Sequence, residues 1–163
     1  MIKTIKIPSE RLPVLIGTRG HVKRQIEKKT NTKITVGDEV TIEGESIDIL
    51  AAENIVKAIG RGFSPETSSL LLDEDNTLYI IELPKNERSA SRIRSRLIGT
   101  NGKSRRNIER LTKTNISIYG KTVAIIGKYA NVVFAEDAIN KIIKGISHRF
   151  VYEFLETKQN ELE

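Results

Sequence analysis

The chain repeats itself. Leu-Ile-Gly-Thr-Arg-Gly at residues 15–20 returns as Leu-Ile-Gly-Thr-Asn-Gly at residues 97–102, an offset of 82. Identical residues continue at this offset and then, after one inserted residue, at 83: Arg24 and Arg106, Ile26 and Ile108, Glu27 and Glu109, Gly44 and Gly127. Self-similarity at a fixed spacing is typical of a duplicated structural unit. The 163 residues therefore predict two copies of one small domain.

The spacing of apolar residues predicts the same order of elements in both copies. Alternation indicates strands, and spacing of three to four residues indicates helices. Each copy has a strand, two helices that flank the glycine motif, a hairpin and a long helix, so the expected order is βααββα twice. The expected strands are 2–7, 33–36, 39–43, 78–83, 115–119 and 122–126, and the expected flanking and final helices are 9–16, 47–59, 87–98 and 131–146. The predicted class is α+β, with each three-stranded sheet packed against three helices.

The expected domain boundaries follow from this order. Residues 1–62 form the first domain and residues 78–163 the second. Residues 63–77 form a connector with a short helix, because Ser64-Pro65 is typical of a helix start. Residues 147–163 are expected to extend the last helix, with Ile146, Phe150 and Phe154 on one side and a polar, frayed tail after Glu156.

Basic residues are concentrated around the two glycine motifs. The whole chain has a net charge of +6. Residues 85–113 hold ten Lys and Arg against two Glu, a net +8, and residues 3–31 hold eight against two, a net +6. The rest of the chain is therefore acidic, with a net charge of −8. Two such clusters indicate a surface for a polyanion more strongly than a solvated basic face.

Each glycine motif suits phosphate binding. Glycine leaves the backbone open to a ligand and permits positive φ, and the following helix directs its free N–H groups at the loop. The candidate residues in the second copy are Gly99, Thr100, Asn101, Gly102, Lys103, Arg105, Arg106 and Arg96. Those in the first copy are Gly17, Thr18, Arg19, Gly20, Lys23 and Arg24.

The Ile-Gly-x-x-Gly sequence between two helices, followed by a hairpin and a long helix, resembles the KH domain. The resemblance implies a loop that clamps the backbone of about four unpaired nucleotides beside a groove for the bases. It implies that Ile16 and Ile98 border the groove and that Ile34 and Ile116 lie near its far wall. Only sixteen residues precede Gly17, which favours the type I topology. Lys23 and Arg105 stand where KH domains usually place an apolar residue, so we expect a more electropositive groove floor.

Residues 99–127 are similar throughout to the second KH domain of the partner of NOB-one family of ribosome-assembly proteins. Ser-Arg-Arg-Asn-Ile and Tyr-Gly-Lys-Thr-Val-Ala-Ile-Ile-Gly carry this similarity, which extends over both repeats, and the short chain looks archaeal. The resemblance implies binding of single-stranded RNA at the 3′ region of small-subunit ribosomal RNA. It also implies two protein partners, the α subunit of translation initiation factor two and an rRNA-processing nuclease.

Other functions find less support. The chain has no Cys and two His, so no nucleophile, metal cluster or cofactor is expected, and the protein is expected not to be an enzyme. Gly102-Lys103-Ser104 resembles the end of a nucleotide-binding loop, but position 97 is Leu where that motif needs Gly. Glu27 and Glu109 are expected to form i,i+4 ion pairs. Without an apolar run long enough to span a bilayer, a cytoplasmic protein is expected. The alternative is a protein-interaction scaffold in which only one copy binds RNA.

Overall fold

Both copies fold as a three-stranded antiparallel sheet with helices packed on it. The computed structural model describes residues 1–162, which divide into two units, residues 1–74 and the chain from Asp75 onward. The central strand of each sheet is the last of its three strands in sequence, giving the orders β1-β3-β2 and β4-β6-β5. This confirms the predicted class of two α+β domains in tandem.

The first unit has its strands at the predicted positions within one or two residues. Its elements are β1 (Ile2–Ile5), α1 (Leu12–Ile16), α2 (His21–Thr30), β2 (Lys33–Val36), β3 (Val40–Glu43), α3 (Ser46–Gly60) and α4 (Pro65–Ser68). A 3-10 turn, Ser9–Arg11, precedes α1. Strand β3 pairs with both neighbours, and its alternate residues Val40 and Ile42 are fully buried under the helices.

The connecting segment carries the expected short helix. Ser64 caps α4 by accepting a hydrogen bond from the N–H of Thr67, and Pro65 occupies its first turn. Helix α4 and the 3-10 turn Ser69–Leu72 both pack on α3, and Leu71 is buried. The segment is therefore part of the first unit, which continues to residue 74.

The second unit repeats the order and adds a helix. Its elements are β4 (Asn76–Glu82), α5 (Glu87–Ile98), α6 (Lys103–Thr112), β5 (Asn115–Tyr119), β6 (Thr122–Lys128), α7 (Tyr129–Ile143) and α8 (His148–Leu162). Its core is aliphatic, built from residues such as Leu97, Ile108, Ile125 and Ile139, each no more than 1% exposed.

The prediction that residues 147–163 extend the last helix is wrong for residues 147–162, and Glu163 lies outside the described residues. Helix α7 ends at Ile143, and Gly145 has a φ of +97°, which turns the chain out of the helix. The N–H of Ile146 reaches back to the carbonyl of Lys141 at 3.0 Å, a bond that closes such an end. Helix α8 then packs separately against α6 and α7, with Val151 and Leu155 buried.

Candidate nucleic-acid interface

The two glycine loops have the same backbone conformation. Gly17 and Gly99 both have φ 73° and ψ 177°, and Gly20 and Gly102 have φ 75° and 76°. Between the glycines of each loop, a non-glycine residue is left-handed: Arg19 and Asn101, each with φ 55°. Side chains seldom adopt this conformation, which is found where surrounding structure enforces it. The duplication has thus kept the loop backbone while the sequence inside it changed.

The first glycine of each loop is required by internal packing. A Cβ atom added at Gly17 would lie 2.5 Å from Cγ2 of Val22, and one at Gly99 would lie 2.7 Å from Cβ of Ser104. At Gly20 and Gly102 the added atom would meet only the end of an arginine side chain. The expectation that the glycines leave room for a ligand therefore applies to the second of each pair. The first lets the loop lie against the next helix.

Each loop leads into a helix start with no side-chain cap. The N-cap residues of α2 and α6 are Gly20 and Gly102, and no side chain accepts a hydrogen bond there. The first N–H of each helix, that of His21 or Lys103, donates to the carbonyl of Thr18 or Thr100 in the preceding turn. The N–H groups that follow have no side-chain acceptor beside the loop, an arrangement that suits an anion. The side chains of Thr100, Asn101 and Lys103 around this end are exposed.

Two predicted phosphate ligands brace the loops. The guanidinium of Arg24 donates to the carbonyl of Arg19 at 2.5 Å, and that of Arg106 donates to the carbonyl of Asn101 at 2.6 Å. Each bond holds the left-handed residue in place. Both side chains remain exposed, so each also brings positive charge to the loop surface.

Arg96 lies in a different environment from the other predicted cations. Its guanidinium donates to the carbonyls of Ile142 and Ile146, at the end of α7. Arg11 makes the same kind of contact in the first unit, where it donates to the carbonyls of Ile59 and Phe63. The structure therefore shows Arg96 as a cap for a helix C-terminus, whose carbonyls attract cations.

A glutamate carboxylate accepts a hydrogen bond from the backbone of one edge strand in each sheet. Oε2 of Glu27 accepts from the N–H of Ile34 at 2.8 Å, and Oε2 of Glu109 accepts from the N–H of Ile116 at the same distance. The side chains of both isoleucines are buried. Ile116 therefore offers neither its side chain nor its N–H to a ligand. The sequence predicted only ion pairs for these glutamates. The presence of Glu at the same position in both copies was the signal that could have indicated a shared role.

The two copies differ in the cation that accompanies this glutamate. In the first copy Lys23 donates both to Glu27 and to the carbonyl of Ile34, at 3.2 and 3.0 Å. In the second copy Arg105 donates to Oε1 of Glu109 at 2.7 Å, and among the described residues no side chain donates to the carbonyl of Ile116. Since N–H and C=O of one residue in an antiparallel strand point the same way, that carbonyl lies on the outward edge. Only the second copy keeps an open acceptor there.

The remaining predicted residues lie around the loops. Ile98 ends α5 directly before Gly99 and is 37% exposed, and Ile16 holds the matching half-buried position in the first copy. Thr18 and Arg19 are exposed on the first loop. Among the described side chains the ammonium of Lys103 has no ion-pair partner, so it is an unpaired charge beside the second loop.

Two other features, a metal site and a membrane-spanning helix, were searched for in the described residues. Within residues 1–162, no group of three or more His, Cys, Asp or Glu side chains is placed to hold a metal ion. None of the helices in that range combines the length and the apolar character that crossing a bilayer requires.

Comparisons with known proteins match both units. A sequence model of the second KH domain of PNO1, described as a eukaryotic type KH-domain (KH-domain type I), matches residues 76–160, and a KH domain model matches residues 2–58. The KH domain-containing protein MJ0443 of Methanocaldococcus jannaschii is 39% identical over 99% of this chain and 75% of its own length.

Two solved structures from Pyrococcus horikoshii are also similar. Dim2p is 42% identical with a TM-score of 0.91, covering 96% of this chain and 99% of Dim2p. A crystal structure of aDim2p with a/eIF2alpha and rRNA gives 40% identity and a TM-score of 0.92, covering 99% of this chain and 95% of the other. With both units matched in sequence and in fold, the chain belongs to the tandem KH-domain family of PNO1 and Dim2p, the partner of NOB-one family.

Proposed function

We propose that this protein binds single-stranded RNA at the loop of its second unit and catalyses no reaction. The uncapped N-terminus of α6, exposed at the glycine loop beside the unpaired ammonium of Lys103, carries the proposal. Backbone N–H groups at such an end bind phosphate, and a KH loop holds the backbone of unpaired nucleotides. The candidate residues there are Gly99, Thr100, Asn101, Gly102, Lys103, Arg105 and Arg106, with Ile98 at the border of the groove.

The second unit is the stronger RNA binder in this proposal. It carries the larger basic cluster, and its edge strand keeps the carbonyl of Ile116 open. In the first unit the ammonium of Lys23 covers the equivalent carbonyl of Ile34. A base that enters the first groove would have to displace this ammonium, which costs binding free energy.

The RNA in question is the 3′ region of small-subunit ribosomal RNA during ribosome assembly, in the cytoplasm. Support comes from the family and from the aDim2p relative, which was crystallised with rRNA. The α subunit of translation initiation factor two is a proposed partner on the same ground, and an rRNA-processing nuclease is proposed from the family alone. The first unit, with its covered groove, is then the candidate for protein contacts.

Paired substitutions in each loop test the RNA proposal. Thr100→Asp with Asn101→Asp places two carboxylates where phosphate is expected, without touching the core. We expect a loss of RNA affinity of tenfold or more, whereas Thr18→Asp with Arg19→Asp causes a smaller loss. Fluorescence anisotropy with labelled single-stranded RNA measures both. The site assignment fails when both folded variants bind as tightly as the parent.

Salt dependence separates RNA binding from the scaffold alternative. Each phosphate contact should lower log K by about 0.7 per unit of log salt concentration for a single strand. A steep slope that flattens in the Thr100→Asp and Asn101→Asp variant supports phosphate contacts at this loop. A flat slope for the parent protein favours the scaffold.

A further inference from the structure

The second unit has a pocket beside its glycine loop, between the loop and α8. We call it the side pocket. It has a volume of about 390 Å³ and lies between the loop, the start of α6 and the start of α8, where it is lined by Arg96, Thr100, Lys103, Ser104, His148 and Tyr152. This volume falls within the range of roughly 300 to 1,000 Å³ that small-ligand sites occupy. Helix α8 forms its outer wall.

The side pocket contains a buried hydroxyl without a partner. Ser104 is 3% exposed, and its Oγ has no hydrogen-bond partner among the described residues. Buried polar atoms of native proteins are almost always hydrogen-bonded, so an unpartnered one calls for an explanation such as an absent ligand. The only other such atom in the described range, Oγ of Ser68, lies in the first unit.

Two further polar groups of the side pocket are open. Nε2 of His148 lies 2.7 Å from the carbonyl of Arg96; since a carbonyl only accepts, this nitrogen is the donor and Nδ1 takes no part in the contact. The hydroxyl of Tyr152 makes no hydrogen bond within the described residues, and its ring lies 6.1 Å from that of His148. The ammonium of Lys103 adds one positive charge.

The first unit lacks this chemistry at the equivalent place. There a pocket of about 260 Å³ lies against α2, with His21 and Val22 at the positions of Lys103 and Ser104 and with Glu66 of α4 in its wall. An apolar side chain has replaced the buried hydroxyl and a carboxylate has been added. In that lining the carboxylate of Glu66 offsets the ammonium of Lys29, whereas the side pocket carries Arg96 and Lys103 and no carboxylate.

We propose that the side pocket is a second RNA subsite, which takes the nucleotide next to the segment held by the loop. The inference rests on the proposed function, because the side pocket shares Thr100 and Lys103 with the loop. A phosphate beside these two residues continues the strand from the loop. The sugar and base then meet the hydroxyls of Ser104 and Tyr152 and the ring of Tyr152, on which a base can stack.

Nested RNA oligonucleotides test the side pocket in the full chain. The probes are labelled, unstructured RNAs that share a four-nucleotide core and carry one to three further nucleotides at the 5′ or the 3′ end. In the parent, extension at one end should raise the affinity. Ser104→Val, which imports the residue of the first copy, and Tyr152→Phe, which removes only a hydroxyl, should each reduce this gain by about three- to tenfold, the size of one lost hydrogen bond. Both should bind the core alone like the parent.

Two control variants match these changes outside the side pocket. Tyr129→Phe removes a hydroxyl from a tyrosine of α7 that is 74% exposed, and Val22→Ser makes the reciprocal exchange in the first copy. Both should leave the gain unchanged. Ser104→Ala gives a second variant should the valine prevent folding, which thermal unfolding reports.

The possible results separate the two proposals. A parent protein that binds no RNA overturns the proposed function. A parent that binds, while the folded Ser104 and Tyr152 variants keep the full gain, overturns the side pocket and leaves the function standing. An equal loss for the core and the longer RNAs overturns it too, since the substitutions then act through the loop.

Discussion

Single glycines determine whether the loops can form. Gly99 combines φ 73° with ψ 177°, a region that side chains avoid, and has no space for a Cβ atom against the backbone of Ser104. Gly102 is left-handed but faces only the guanidinium of Arg106. The two glycines of one motif are therefore under different constraints, which the sequence alone does not distinguish.

Alanine at the two positions should separate these constraints. Gly99→Ala should lower the free energy of unfolding of the second unit by about 3 kcal/mol, because strain and clash add. Gly102→Ala should cost about 1 kcal/mol, the cost of a left-handed side chain. Urea unfolding measures both. Equal losses would contradict the packing role assigned to Gly99.

The glutamate at the edge strand is a second residue with a testable role. Glu109→Ala removes the carboxylate that accepts from the half-buried N–H of Ile116. This should cost about 2 kcal/mol of unfolding free energy, the size of a hydrogen bond to a charged group. Glu109→Gln keeps an oxygen for that N–H and should cost clearly less. Glu27→Ala and Glu27→Gln provide the matched pair in the first unit. Comparable losses for Gln and Ala would mean that the ion pair with Arg105, not the bond to the strand, stabilises the edge.

At the scale of elements, α8 is an independent helix held by its own apolar face. Leu155 is 2% exposed, whereas Phe150, five residues earlier, is 53% exposed. Leu155→Ala should lower the unfolding free energy by about 3 kcal/mol, and Phe150→Ala should change it little. Chemical unfolding of the two variants checks this. A larger loss for Phe150→Ala than for Leu155→Ala would contradict this packing of α8.

Ion pairs and hydrogen bonds connect the start of α5 to the β5–β6 turn. Arg94 donates to Oε1 of Glu87 and to the carbonyl of Gly120, both at 2.6 Å, and Lys121 lies 3.7 Å from Oε2 of Glu87. Chiefly the hydrogen bond and charge of Arg94, and then Lys121, lower the pKa of Glu87 from its ordinary value.

This lowered pKa gives a pH prediction for Glu87. Because the carboxyl is more acidic in the folded state, its contribution is present above the unfolded-state pKa of about 4.3 and is lost as the pH falls through the lower folded pKa. Glu87→Gln should therefore melt slightly below the parent at pH 7, and the gap between the two should narrow as the pH falls towards 3. Thermal scans between these pH values measure the difference, which is small because the side chain is exposed. A gap that is as wide at pH 3 as at pH 7 would have another cause.

At the scale of the whole chain, the boundary of the first unit is a testable feature. Phe63 and Leu71, which follow α3, are 5% and 7% exposed. A fragment of residues 1–74 should unfold cooperatively, whereas residues 1–62 should be less stable by several kcal/mol, since two large apolar side chains are lost. Circular dichroism during heating compares the fragments. Equal midpoints would show that the segment after α3 contributes no stability.

Much of this architecture was predictable from the sequence because its signals are local. The alternation of apolar and polar residues indicated the strands, and the repeated glycine motif indicated the loops and the helices that flank them. The break at Gly145 was missed because apolar residues continue across it, although a glycine near a helix end is a stop signal. The roles of Arg96 and Ile116 were not predictable from nearby residues. Arg96 bonds to carbonyls 46 and 50 positions away, and the N–H of Ile116 is met by a side chain of another element.

The glutamate bonds at Ile34 and Ile116 also bear on self-association. An exposed edge strand offers unpaired N–H groups on which a strand from another molecule can grow a shared sheet, the first step towards fibrils. In β2 and β5 one such group is already taken by a carboxylate of the same unit. An incoming strand would have to expel a charged group to continue the ladder. The edge beside each groove is therefore protected against sheet extension, while a ligand that needs no ladder can still approach it.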